Sequence, residues 1–135
     1  MNEIPRQVKD QIVRNIDLAI AKLPAKQRQW VNFECEQLID TLVDVFIQTG
    51  SVSTLEISPK TDDELFGMQT ELIEKMIHDV ETNSNIEFQI RLASALVLAR
   101  KCPRLAHLVE MGDAALKQSQ STEIALRQLH EAENQ

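Results

Sequence analysis

Apolar positions recur along this chain at spacings of three and four residues, the period of helices that each bury one face. Val8, Ile12, Ile16, Ala19, Ile20 and Leu23 form the first such stripe. They predict a helix from residue 5 or 6 to residue 22, with Pro5 suited to its first turn. Leu23-Pro24 breaks it, because proline disfavours helix at the residue before it and can open the next one. So short a connection predicts a hairpin of helices one and two. The second stripe is the strongest: Val31, Cys35, Leu38, Leu42 and Val45, widened by Trp30, Ile39, Val43, Phe46 and Ile47. It predicts one helix over 25–49, apolar on most sides and therefore central, closed by Gly50. The polar strip left on it is acidic, with Glu36, Asp40 and Asp44 recurring every four residues.

Residues 51–60 read Ser-Val-Ser-Thr-Leu-Glu-Ile-Ser-Pro-Lys, β-branched and loosely alternating. A lone strand cannot satisfy its own backbone, so this stretch is expected as a surface loop or as a strand paired with a second copy. Thr61 and Glu64 have the spacing of a capping box opening a third helix, whose stripe runs Leu65, Met68, Gln69, Leu72, Ile73, Met76, Ile77, Val80. Gly67 within it is read as a point of close helix packing. Ser84 and Glu87 repeat the capping-box spacing ahead of a fourth helix over 86–101, nearly all apolar from 92 to 99 and expected beside helix two. Cys102-Pro103 ends that helix. Leu105, Leu108, Val109, Gly112, Ala115 and Leu116 mark a fifth helix to about 117, and the polar run 118–121 predicts a break. A last short helix over 122–132 is expected to bury Ile124, Ala125 and Leu129 before a frayed tail. The expected fold is all-α: a bundle of five to six helices in a single domain, residues 1–135, with one irregular loop at about 50–60.

Composition sharpens this picture. A chain of 135 residues that is 43% hydrophobic can build a core without staples, and its two cysteines supply no disulfide framework. Cys35 on the apolar stripe reads as a buried reduced thiol. No apolar run approaches the roughly 20 residues needed to span a bilayer, and no signal peptide is recognisable, which predicts a cytoplasmic setting. The net charge of −7 is uneven: residues 1–31 carry +3, residues 32–90 carry −11, and residues 91–135 carry +1. An acidic middle repels nucleic acid and attracts basic partners.

Candidate chemistry is sparse. Glu74-x-x-x-His78, His107-x-x-Glu110 and His130-x-x-Glu133 do not supply the Glu-x-x-His set of a helical di-metal site, and neither His-Glu-x-x-His nor Cys-x-x-Cys occurs. No Gly-x-Ser-x-Gly elbow and no phosphate-binding glycine loop are present. No metal, cofactor or catalytic residue is assigned. Leu23-Pro24-x-x-Gln27-Arg28 resembles the opening of sigma-factor helix-turn-helix domains over six residues. A recognition helix should be polar and basic, whereas helices four and five are apolar, so direct nucleic-acid binding is not expected. The acidic ladder is costly in isolation, since like charges at i, i+4 repel. It is consistent with a basic partner outside the chain, with Arg100, Lys101 and Arg104 as a counterpart within it, or with an ordinary solvated face satisfied by the protein's own lysines and arginines. Methionines 68, 76 and 111 on apolar faces suit adaptable partner surfaces. The leading expectation is a non-enzymatic helical regulator or adaptor that binds another protein with a basic surface, and forms a homodimer. Glu36, Asp40, Asp44, Glu71, Glu74 and His78 are the expected partner-binding residues. An acidic inhibitor that occupies a nucleic-acid-binding surface of its target is the alternative, and an enzyme of unfamiliar type the second alternative.

Overall fold

The computed structural model describes residues 4–83 and 85–133. The chain is all-helical, 82% helix with no strand among the described residues. Six α-helices follow in order: α1 Arg6–Ala21, α2 Ala25–Val31, α3 Cys35–Thr49, α4 Asp62–Thr82, α5 Ile86–Ala99 and α6 Ala106–Glu133. Short 3-10 turns, Asn32–Glu34 and Pro103–Leu105, lead into α3 and α6. The helices group into two compact units, residues 1–61 and 62–135.

In the first unit α1 packs along α3 and meets α2. Ile12, Ile16, Ala19, Ile20 and Leu23 are buried, as their i, i+4 spacing requires. The expected 25–49 helix is interrupted. After Val31 the chain tightens into Asn32–Glu34, and Glu34, at φ −102° and ψ 3°, leaves helical geometry before α3 begins. No proline or glycine causes this. Trp30, Val31, Asn32 and Phe33 are all middling helix formers, so packing of the buried Trp30 ring, tilted at 49° and 5.9 Å from Phe33, overrides propensity cheaply. Gly50 ends α3 in the left-handed region at φ 74°, its N–H donating to the Phe46 carbonyl at 2.7 Å.

Residues 52–61 have no regular structure and form a strap rather than a strand. Ser53, Leu55 and Ile57 are half-buried while Thr54, Glu56 and Ser58 are exposed, so the alternation is real. Side chains hold this strap in place of a neighbouring strand. Asn15 Nδ2 donates to the Ser53 carbonyl at 3.0 Å. Gln27, a buried amide, donates from Nε2 to the Ser58 carbonyl at 3.1 Å and accepts the Lys60 N–H on Oε1 at 2.8 Å. One glutamine thereby satisfies two backbone groups that would otherwise need a strand partner.

In the second unit α4, α5 and α6 pack pairwise against one another. Its core is Ile73, Leu92, Ala95, Leu96, Ala99 and Leu105, all fully buried. Arg100 pairs with Asp113, Leu96 lies against Gly112, and Gln89 Nε2 donates to Ser119 Oγ at 2.8 Å. This crossed order makes α5 and α6 antiparallel. Within the second unit the neighbours of α5 are α4 and α6. Asn85 caps α5, its side chain accepting the Glu87 N–H at 3.0 Å; the expected Ser84 cap lies outside the described residues.

No break occurs at 118–121: α6 is one helix of 28 residues. Gln118-Ser119-Gln120-Ser121 contains no proline or glycine; Ser119 accepts from Gln89, and the Gln118 carbonyl accepts from Thr122 Oγ1 at 3.0 Å. Leu129, expected to be buried, is 59% exposed. The Gln89–Ser119 register sets Ile86 opposite Thr122, so residues 123–133 run past the start of α5, about 16 Å of helix. The side chains of Ile124 and Ala125, and the tail at 134–135, lie outside the described residues.

Candidate functional site

The acidic ladder is built on α3. Three carboxylates at i, i+4, i+8 fall on one face of a continuous helix, about 6 Å apart from one to the next. Glu36, Asp40 and Asp44 are exposed, and none forms an ion pair among the described residues. Two of the three basic residues proposed to neutralise them, Arg100 and Arg104, are engaged within the second unit, while Lys101 forms no ion pair among the described residues. Arg100 pairs with Asp113, and Arg104 donates to Asp63 at 3.0 Å while its guanidinium lies 4.0 Å above the Phe66 ring.

The helix carrying the ladder is not the wrapped centre that its composition predicts. Leu42 alone is buried on α3; Leu38, Ile39, Val43, Val45 and Phe46 are half-buried, and Ile47 is exposed. The helix contacts α1 and the Asn32–Glu34 turn, and its apolar side is only partly covered. The ladder thus borders a partly apolar surface, the composition of an interface rim beside its core.

Glu71, Glu74 and His78 occupy a different element. They share one exposed face of α4, at i, i+3 and i+7, in the second unit. The −11 segment is therefore divided between the two units: residues 32–61 carry five acidic groups and one basic, residues 62–90 eight and one.

Cys35 opens α3 and is half-buried rather than buried. Its thiol donates weakly to Asn32 Oδ1 at 4.0 Å. Burial, with Asp17 and Glu34 nearby, pushes the thiol above its ordinary value of 9.0, the opposite of what a nucleophile needs. The methionines divide: Met76 is buried, Met68 half-buried and Met111 exposed. Gly67 is not a packing site, since a Cβ there would meet nothing within 4 Å. Gly112 is, because a Cβ there would lie 2.7 Å from Leu96 Cδ2. Both sit in apolar stripes, and no signal in the sequence separates them.

No group of three or more histidine, cysteine, aspartate or glutamate side chains among the described residues is arranged to hold a metal ion. No helix among the described residues is long and apolar enough to cross a membrane. No family model, no curated protein and no solved structure matches this chain.

Proposed function

We propose that this protein is a non-enzymatic helical adaptor or regulator, and that α3 is its docking edge for a protein partner with a basic surface. The unpaired Glu36–Asp40–Asp44 ladder carries this reading. No ion pair among the described residues offsets its mutual repulsion, and the half-covered apolar residues beside it supply the desolvation energy that surface charges lack. Glu71, Glu74 and His78 on α4 form a second acidic face available to the same or another partner. Two free cysteines, one with a thiol held protonated by its surroundings, suit the reducing cytoplasm.

The test compares tagged wild-type protein with the neutral variant E36Q/D40N/D44N in affinity purification from the native cell, partners being identified by mass spectrometry. The expected result is a basic partner that co-purifies with wild type, is lost with the variant, and leaves the wild type as salt rises. Identical partners for both proteins would overturn it. A partner displaced in turn by DNA or RNA would mark the acidic inhibitor reading, in which the ladder stands in for a nucleic-acid backbone.

A further inference from the structure

α5 carries two apolar faces, and the second unit uses one of them. Gln89, Leu92, Ala95, Leu96 and Ala99 point into the unit and are buried. Roughly a third of a turn away, Ile86, Ile90, Ala93 and Val97 form an independent stripe within about 60° of the helix circumference. All four are exposed, with Ile86 at 57%, Ile90 at 59% and Val97 at 56%. Scattered exposed apolar residues are ordinary, but three β-branched side chains in register on one helix are an uncovered seam.

We propose that this seam is covered by a second copy of the chain, packed antiparallel about a two-fold axis between Ile90 and Ala93. Three observations select that occupant and that direction. First, the stripe is complementary to its own reverse. In the register that sets Ile90 over Ala93 of the second copy, a large side chain meets a small one on both sides of the axis. Ile86 and Val97 then meet at either end. Second, the charges bordering the stripe are asymmetric: Glu87 lies at the start of the helix and Lys101 just past its end, Arg100 beside it being paired with Asp113. Antiparallel pairing brings the acidic end of each helix alongside the basic end of the other, whereas parallel pairing stacks like charge on like. Third, helix dipoles oppose each other favourably only in the antiparallel arrangement. Glu87 and Lys101 are exposed and form no ion pair among the described residues, so both are available for it. The contact is isologous, as a closed dimer requires. One four-residue stripe per chain puts the buried area below about 1,200 Å², the range of weak and transient interfaces, so the dimer dissociates at micromolar concentration. This seam belongs to α5 in the second unit and the acidic edge to α3 in the first, and the variants that test them share no residue, so the two proposals fail or succeed independently.

Sedimentation velocity of the full chain across low to high micromolar concentration tests the seam. Wild type is expected to shift from monomer to dimer with concentration, and I90E to stay monomeric at every concentration with an unchanged helical circular dichroism spectrum. If I90E loses helix, V97E repeats the test from the other end of the stripe. The charge reversals E87K and K101E each weaken the dimer roughly two- to fivefold, and combining them restores it, because the reversed pairs meet again across the axis. A wild type that stays monomeric through high micromolar concentration overturns the proposal. So does a dimer indifferent to I90E and V97E, or a double reversal weaker than both single ones.

Discussion

At the scale of single residues, the two helical glycines inside apolar stripes have opposite values. Gly67 is exposed and its missing Cβ points into open space, so it carries only the backbone entropy cost of glycine in a helix. G67A is expected to stabilise the protein by up to about 1 kcal/mol. Gly112 is buried under the Leu96 side chain, which is itself fully enclosed and has nowhere to move. G112A is expected to cost about 1–3 kcal/mol through overpacking, despite the better helix propensity of alanine. Thermal unfolding followed by circular dichroism reads both shifts, and equal responses would contradict the packing of α5 on α6. Cys35 gives a residue-scale dependence on pH. Its folded thiol titrates above 9.0 because burial, Asp17 and Glu34 disfavour the thiolate. The folded chain therefore keeps this proton to a higher pH than the unfolded chain does. The associated stability is present below the unfolded value and is lost as pH rises through the folded one. In a C102S background, the midpoint of iodoacetamide alkylation should lie higher for native protein than for denatured protein. Coincident midpoints would remove the effect.

At the scale of elements, the strap at 52–61 and helix α3 make separate predictions. Gln27 replaces a strand partner for two backbone groups of the strap, and the amide is buried where water cannot readily substitute. Q27A should cost about 1–3 kcal/mol and expose the strap to proteolysis near Lys60, whereas Q27E should fail chiefly at the Ser58 carbonyl, which then lacks its donor. The ladder on α3 behaves oppositely. Its carboxylates repel one another by a few tenths of a kcal/mol per i, i+4 pair, and none of them forms an ion pair among the described residues. Denaturant titration should therefore find E36Q/D40N/D44N as stable as wild type or slightly more so. A clear loss of stability would mean that the ladder serves folding rather than binding.

At the scale of the whole molecule, burial is unequal between the units. In the second unit five of the fourteen residues of α5 are buried, and four of them, Leu92, Ala95, Leu96 and Ala99, are wholly inaccessible. In the first unit α3 buries Leu42 alone of fifteen residues. Native-state hydrogen exchange should find α3 opening at a lower free energy than α5, because opening cost follows the apolar surface uncovered. Equal protection of the two helices would contradict that distribution. A low opening cost also suits a surface proposed to adjust to a partner.

Local pattern was sufficient wherever a backbone or side-chain preference acts over one or two turns. The helical class, the stop at Leu23-Pro24, the left-handed Gly50 and the buried row from Ile12 to Leu23 all follow from chemistry between near neighbours in sequence. Periodicity, however, records how much apolar surface a helix owns and not which neighbour covers it. For that reason α3, apolar on most sides by pattern, came out half-exposed, while α5 is covered on one apolar face and bare on the other. The difference between Gly67 and Gly112, and the use of Ser119 by Gln89 along an unbroken α6, were likewise decided by contacts between residues distant in sequence. The acidic ladder was legible as spacing, but whether Glu36, Asp40 and Asp44 stand free depended on where Arg100 and Arg104 found their carboxylates. Short-range preference chose the elements; long-range burial chose which of their faces remain open to solvent.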